Sequence, residues 1–301
     1  MKRQLPVIQY LCSLPCIDPS ANGSAVLDEV CTSTGGVPHP GSVLGCRFHT
    51  AATVLEVLEF LLDLPSPRGV DPAAFDNIAL RTAAKSQYGL RLVRWLCELP
   101  LSVGIDPAVD DNAPLCAAAE VYRVDVVRYL CELPRERGVD PSANDNEALV
   151  AAAVESEWEL LRVSVRVGDS MDTVRYLCNL PADRGVDPSA RDNYIIGRAV
   201  ASDQHEALVR FMCSLPPHCG VDPAAYHNSP LEDAIAAENE SLVTFLLSFP
   251  AVRACPLPVC ERMNEMELSM PRRVVAAASR AERRDSRLPL LLLASLCASG
   301  R

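Results

Sequence analysis

The chain has 301 residues, of which 49% are hydrophobic but only 5% aromatic, and its formal net charge is −11. This charge argues against nucleic-acid binding, which needs a basic face to release counterions. The longest apolar run, Leu288 to Ala298, is shorter than the roughly 18 residues that a membrane helix needs, so we expect no membrane partner. Thirteen cysteines, an odd number in a long chain, disfavour a disulfide framework, and the expected location is the cytoplasm.

In chain order, the first element is "VIQYLCSLPCIDPSA", which starts at Val7 and is a truncated copy of a segment that returns along the chain. We therefore do not expect a targeting peptide at this end. The copies are aligned on an Asp-Pro step, found at Asp18, Asp71, Asp106, Asp140, Asp187 and Asp222. Three of the five spacings are 34 or 35 residues. A period of this size predicts stacked helical repeats.

Each copy divides into three parts. The first is an alanine-rich segment after an Asp-Asn pair, such as "APLCAAA" at 113–119, and alanine is the strongest helix former. The second is "VVRYLCELP" at 126–134, whose apolar residues recur at helical spacing up to Pro134. The third, "RGVDPSANDN", predicts a turn or hairpin. We expect the Asp or Asn before the alanines to cap the first helix through its side-chain oxygen.

This pattern resembles the ankyrin repeat, whose signature runs Thr-Pro-Leu-His, Ala-Ala, Val-Val-x-Leu-Leu and Gly-Ala-Asp-x-Asn-Ala. The matching pieces are "APLCAAA", "VVRYL" and "GVDPSA", and the resemblance covers about residues 5–256. It implies an all-α solenoid of helix-turn-helix units, joined by extended loops or hairpins, in a domain spanning 1–256. The Thr and His of the signature are missing; Ala113 and Cys116, for example, stand in their places. A tetratricopeptide or pentatricopeptide array has nearly the same period but lacks a Gly-Val-Asp-Pro loop in every unit.

Two copies carry insertions, and the composition changes after residue 256. The segment at 31–50 is rich in Gly and Pro and predicts a loop. The segment at 157–168, "EWELLRVSVRVG", alternates like a strand but has no partner strand, so a protruding loop, an extended first helix and a functional loop all stay open. Residues 257–301 carry eight Arg against five acids, a net charge of +3, which leaves −14 on 1–256. We expect this tail to be a capping helix, to be partly disordered, or to touch a membrane as a basic segment.

The cysteines raise the alternative of metal or enzyme chemistry. Five of them share one repeat position: Cys12, Cys97, Cys131, Cys178 and Cys213. Leucine replaces them at Leu62 and Leu247, which indicates buried hydrophobic side chains. No Cys-x2-Cys pair or His cluster accompanies them, and no nucleophile or phosphate-loop motif occurs. We therefore expect no enzyme activity, no cofactor and no metal site, with a cysteine-based metalloprotein or enzyme as the alternative.

The residues just before the alanine-rich helices vary between copies. In ankyrin-like arrays the loop tips and first helices line a concave binding face. The resemblance therefore implies candidate partner contacts at Phe75, Asp110, Asn144, Arg191, Tyr194 and Tyr226, although solvated turn residues are also typical of such positions. The predicted function is a non-catalytic scaffold that binds another protein, and the acidity of the array suggests a partner with a basic patch. A helical-repeat RNA binder is the further alternative, disfavoured by the few aromatics and the negative charge.

Overall fold

A computed structural model of the chain describes residues 4–14, 18–20, 26, 30–31, 51–65, 69–86, 88–154, 167–200, 206–237 and 239–254. Within these ranges the chain forms 13 α-helices and several short 3-10 turns, and no strand occurs there. The prediction of an all-α fold is therefore confirmed. In the described connectors an extended segment follows a 3-10 turn, so the hairpin form of the predicted connector is absent from them.

The helices divide between two compact units, Met1–Val186 and Asp187–Arg301. The first unit contains α1 (Gln4–Ser13), α2 (Ala51–Leu62), α3 (Ala74–Lys85), α4 (Gly89–Glu98), α5 (Val109–Glu120), α6 (Val124–Glu132), α7 (Ala143–Ala153) and α8 (Val167–Cys178). The second unit contains α9 (Ala190–Val200), α10 (Glu206–Ser214), α11 (Ala225–Ala236), α12 (Glu240–Leu246) and α13 (Pro250–Ala254). We call the alanine-rich helices α3, α5, α7, α9 and α11 the first helices. The amphipathic helices α1, α2, α4, α6, α8, α10 and α12 are the second helices.

The second helices bury the apolar stripe that the sequence predicts. In α6, the side chains of Val126, Val127 and Leu130 are fully buried, while Arg128 is exposed. The helix ends before Pro134, because the proline ring cannot continue the backbone hydrogen-bond pattern. Neighbouring second helices of the first unit lie side by side: α4 packs against α6, and α6 packs against α8.

In the first unit, the first helices can pack closely because alanine makes up much of their buried faces. Ala83, Ala84, Ala118 and Ala119 are all fully buried. The helix α5 packs against the first helices on either side, α3 and α7, and against its own second helix, α6. In the second unit α9 packs in the same way against α10 and α11, and α11 packs against α12.

The later insertion interrupts the connection between the first and second helix of a copy. Three residues, 121–123, make this connection between α5 and α6, whereas α7 ends at Ala153 and α8 begins at Val167. The predicted insertion at 157–168 is therefore too long at its end, since Val167 and Gly168 belong to α8; its other residues lie outside the described ranges. The predicted insertion at 31–50 begins too early, because Cys31 is helical and buried; residues 32–50 lie outside the described ranges.

The C-terminal predictions fall outside the described residues, which end at Ala254. These are the domain boundary after residue 256 and the tail 257–301. Among the helices that the structure describes, none combines the length and the apolar character needed to cross a bilayer.

Candidate interaction surface

The range of each first helix begins with a turn of left-handed backbone, and the right-handed helix follows that turn. Phe75, Asp76 and Asn77 have φ angles of 51°, 53° and 57°. The same three positions have positive φ in the following copies, at 110–112, 144–146, 191–193 and 226–228. Left-handed backbone costs roughly 1–2 kcal/mol per residue for L-amino acids. Five such turns persist only because the surrounding contacts stabilise them.

The aspartate of each Asp-Pro step starts this turn. A carboxylate oxygen of Asp106 accepts a hydrogen bond from the backbone N–H of Ala108 at 2.9 Å, which folds the chain back on itself. In Asp140 and Asp187 the same oxygen also accepts from the hydroxyl of the serine two residues later. The N–H of Asn112 then donates to the carbonyl of Ala108 at 3.1 Å and closes the turn. The repeated Asp-Pro step is therefore a structural device.

The asparagines that end three of these turns, Asn77, Asn112 and Asn193, each link one copy to the next. The side-chain oxygen of Asn77 accepts the backbone N–H of Asp106 at 3.1 Å, and that of Asn112 accepts the N–H of Asp140 at 2.9 Å. In the second unit Asn193 accepts the N–H of Asp222 at 2.7 Å. The prediction that these residues cap their own helices is wrong, since their oxygens satisfy the backbone of the following loop. The constant distance of six residues from Asp to Asn was the signal in the sequence.

Glycine and arginine make the second link between copies. Gly138 has a φ of 75°, and a Cβ added there would lie 3.2 Å from the Cβ of Ala108 in the preceding copy. The guanidinium of Arg137 donates to the carbonyls of Cys97 at 3.0 Å and Ile105 at 3.3 Å. Arg184 likewise donates to the carbonyl of Val139 at 3.2 Å. These contacts explain why an Arg-Gly pair recurs in the connector. From the sequence alone, the pair indicates only a turn.

Five of the six predicted contact residues share one position of the turn, and the sixth lies just beyond the turn. Five occupy the first left-handed position: Phe75, Asp110, Asn144, Arg191 and Tyr226. All five are exposed, with Phe75 at 59%. Tyr194 instead is half-buried at the start of the right-handed part of α9. The prediction that these residues contact a partner stays a prediction; the structure places five of them at one equivalent, exposed position, which we call the loop edge.

Two loop-edge residues also make contacts within the fold. The carboxylate of Asp110 lies 3.4 Å from the guanidinium of Arg81, on the neighbouring first helix. The hydroxyl of Tyr226 donates to the carbonyl of Arg191 at 2.7 Å, and its ring lies against Gly197, where an added Cβ would be 3.5 Å from it. The missing side chain at Gly197 makes room for this ring.

The loop edge of the first unit is acidic. Beside Phe75, Asp110 and Asn144, the middle position of each turn is an exposed aspartate: Asp76, Asp111 and Asp145. Aspartate tolerates left-handed backbone better than most residues, which accounts for its presence without any binding role. A negatively charged edge disfavours contact with a phosphate backbone.

Among the repeated cysteines of the second helices, Cys12, Cys97 and Cys131 are buried core residues, while Cys178 and Cys213 are half-buried. Cys97 and Cys131 are buried, and desolvation raises the pKa of the Cys97 thiol to about 11 and that of Cys131 to about 12. Burial also raises the pKa of Cys213 to about 12. A protonated thiol is a weak nucleophile and a poor metal ligand. In the described part of the chain, no group of three or more His, Cys, Asp or Glu is placed to hold a metal ion.

A row of arginine–aromatic contacts was not foreseen from the sequence. The guanidinium of Arg94 lies 5.3 Å from the ring centroid of Tyr129, one copy later, and Arg128 lies 5.2 Å from the ring centroid of Tyr176. In the second unit Arg210 lies 4.5 Å from the ring centroid of Phe245. In each pair, the arginine of one second helix lies over the aromatic ring of the second helix in the following copy. The repeated "VRW" and "VRY" triplets are the sequence pattern that corresponds to this row.

Comparison of the chain with known protein families, with curated proteins and with solved structures found no match.

Proposed function

We propose that residues 5–256 form an ankyrin-like solenoid of helix pairs that acts as a non-catalytic scaffold and binds another protein at its loop edge. The side-by-side order of α3, α5 and α7 within the first unit supports this architecture. We also propose that the protein resides in the cytoplasm, where reducing conditions keep cysteines such as Cys97 and Cys131 as free thiols.

The observation that carries the proposal is the side chain of Phe75. It is 59% exposed, in left-handed backbone that bulky residues disfavour. Asp110 and Asn144 hold the same position with side chains that tolerate this backbone. The position of the Tyr226 ring is explained by contacts within the fold, because its hydroxyl donates to the carbonyl of Arg191 and its ring packs against Gly197. An exposed ring in strained backbone is typical of a binding residue rather than a packing residue.

The charge around Phe75 indicates the kind of partner. Asp76, Asp110 and Asp111 are exposed on the same edge, so a protein surface that combines an apolar pocket with basic residues is complementary to it. The two alternative functions draw less support: the thiols of a metalloprotein or cysteine enzyme would have to ionise in the core, and an RNA binder would have to overcome the acidic edge.

The proposal is tested by affinity capture with the full chain from lysate of the source cell, followed by quantitative mass spectrometry. The loop-edge variant carries Phe75→Asn and Asp110→Asn, which suit left-handed backbone and remove the ring and the charge. We expect at least one protein to be enriched by the natural chain and reduced about tenfold or more with this variant, in line with the loss of a buried aromatic contact.

A matched control variant carries Arg91→Ala and Glu98→Ala on the exposed face of α4. We expect it to retain the captured protein, and the loop-edge variant to unfold at a denaturant concentration no lower than the natural chain. Capture of the same proteins by the natural chain and the loop-edge variant, or of none by either, would contradict the proposal.

A further inference from the structure

The helix α1 has an apolar face that remains open. Val7 is 49% exposed and Tyr10 is 64% exposed, so two large hydrophobic side chains lie at the surface within one turn of helix. Leu11, one turn after Val7, is half-buried. The other side of α1 packs against α2. One side of α1 therefore packs against α2, and the side that carries Val7 and Tyr10 is exposed.

Every other second helix buries the residue equivalent to Val7. The segment "VIQYLCSLP" at 7–15 aligns without gaps with "VVRYLCELP" at 126–134, so Val7 corresponds to Val126 and Tyr10 to Tyr129. The residues at the Val7 position in the other second helices are Val57, Leu92, Val126, Thr173, Leu208 and Leu242. Their exposure is between 0% and 3%. Exposure at Val7 is thus a departure from a position that the fold otherwise keeps buried.

The contacts of α6 show what covers this face elsewhere. A Cβ added to Gly89 of α4 would lie 3.0 Å from Cγ2 of Val126, so the backbone of α4 approaches Val126 closely. Arg94 of the same helix lies over the ring of Tyr129. The covering helix therefore presents a small residue to the valine and, five residues later, an arginine to the tyrosine.

The second helices α1, α2, α4, α6 and α8 form one continuous row, in which each packs against the next. Where the row contains arginine–aromatic pairs, the earlier helix gives the arginine and the later helix gives the ring. By the same alignment, the open face of α1 is the receiving side of the row, and its residues Val7 and Tyr10 are exposed there.

We propose that the Val7–Tyr10 face of α1 binds an α-helix of another protein, one that presents a glycine or alanine to Val7 and an arginine to the ring of Tyr10. The bound helix extends the existing row by one member and uses the same contacts as α4 on α6. The area is small, so the interaction is weak on its own, with a Kd on the order of 0.1–1 mM. This site lies apart from the loop edge and does not depend on the function proposed for it.

The probe is a labelled, helix-stapled peptide with the sequence of residues 86–100, in which Cys97→Ser prevents oxidation. It contains Gly89 and Arg94, the two residues that α4 presents to α6. Fluorescence anisotropy is recorded as the peptide is titrated with the full chain. We expect saturable binding, reduced about tenfold by Val7→Asp and about threefold by Tyr10→Ala, the latter in line with an exposed cation–π contact.

Two controls test whether binding depends on the arginine–tyrosine contact at this face. Gln9 is an exposed residue of α1 that corresponds to Arg94 of α4, and it is not part of the Val7–Tyr10 face. We therefore expect Gln9→Ala to leave the affinity unchanged. A peptide with Arg94→Ala is expected to bind about threefold more weakly than the parent peptide, and equally to the natural chain and the Tyr10→Ala variant.

Absence of any rise in anisotropy up to about 1 mM, or equal binding by the Val7→Asp variant and the natural chain, would overturn the proposal. Sedimentation of the chain alone provides the last arm. Self-association that Val7→Asp abolishes would show that a second molecule of this chain occupies the face, and would equally overturn the assignment to another protein.

Discussion

Asn112 and Asn228 occupy the same position in two copies, yet they use opposite ends of the amide. Asn112 accepts the N–H of Asp140 through its oxygen, because another Asp-Pro loop follows it. Asn228 donates from its nitrogen to the carbonyl of Val252 at 2.9 Å, where helix α13 follows instead of a further loop. An amide can both donate and accept, so one residue type serves a repeated junction and a terminal one.

Exchange of each asparagine for aspartate sharpens this comparison and has the largest expected effect. In Asn228→Asp, a fully buried carboxylate replaces the donor and faces the carbonyl of Val252. We expect a loss of about 3 kcal/mol in the free energy of unfolding, because the buried charge has lost its compensating contact. Urea unfolding at neutral pH measures it. Below the pKa of the new carboxyl, much of the loss should be recovered, since the protonated acid can donate.

The matched variant Asn112→Asp keeps an acceptor for the N–H of Asp140 and keeps a residue that tolerates left-handed backbone. We expect a loss of only about 1 kcal/mol. If urea unfolding gave equal losses for the two variants, the two asparagines could not play opposite hydrogen-bonding roles.

Glycine junctions give the next largest effect. A Cβ at Gly185 would lie 2.9 Å from the hydroxyl of Ser142, whereas a Cβ at Gly104 would lie 3.4 Å from the Cβ of Ala73. Both glycines have positive φ, so alanine costs roughly 1 kcal/mol at each, and Gly185→Ala adds a steric penalty. We expect thermal unfolding to place Gly185→Ala below Gly104→Ala, and a combined Gly185→Ala, Ser142→Ala variant to recover part of the difference. The reverse order would contradict the close approach between copies.

Arginine at the junction varies between copies, which offers a natural comparison. Arg137 donates to two carbonyls of the preceding copy, while Val103 stands at the equivalent place one copy earlier. We expect Arg137→Val to lower the free energy of unfolding by about 1–2 kcal/mol, because two charge-assisted hydrogen bonds are lost from a half-buried side chain. Arg135→Val, two residues earlier, is the control; it removes only an exposed ion pair with Asp183 and should change chemical denaturation little. Equal effects would show that the contacts of Arg137 add nothing.

The buried thiols have the smallest expected effect on the free energy of unfolding, and this effect changes with pH only under alkaline conditions. Burial raises the pKa of Cys97 to about 11 and of Cys131 to about 12, above the ordinary value of 9.0. The folded chain therefore holds these protons longer than the unfolded chain. The contribution to stability is complete below pH 9 and is lost as the pH rises toward 11–12. We expect both thiols to react slowly with a disulfide reagent at about pH 8 and rapidly in denaturant. Fast reaction in the folded chain would contradict their burial.

The sequence predicted the helices better than the junctions between them. The alanine-rich and amphipathic segments were found because helical periodicity is local, and the end of α6 before Pro134 follows from a single residue. The left-handed turns were missed because no local rule places three consecutive non-glycine residues at positive φ. The oxygen of Asn77 was assigned to its own helix because its partner, the N–H of Asp106, lies 29 residues away.

The loop edge was predicted in part. Variation between copies identified Phe75 and the residues equivalent to it, and the structure places five of the six at one exposed position. Tyr194 was grouped with them by proximity in sequence, but it lies three residues later, beyond the turn. The arginine–aromatic row was missed because the arginines were interpreted as the polar face of each helix, and a contact with the following copy follows no local rule.

The central claim is that successive copies pack as equivalent neighbours through the same asparagine link. Its most direct test is deletion of residues 106–139, one complete copy between two Asp-Pro steps, which lets Asn77 meet the N–H of Asp140. We expect a shorter chain with the same helical signal per residue in circular dichroism and one cooperative thermal transition, lowered by several degrees. Loss of helix or of the cooperative transition would contradict the claim.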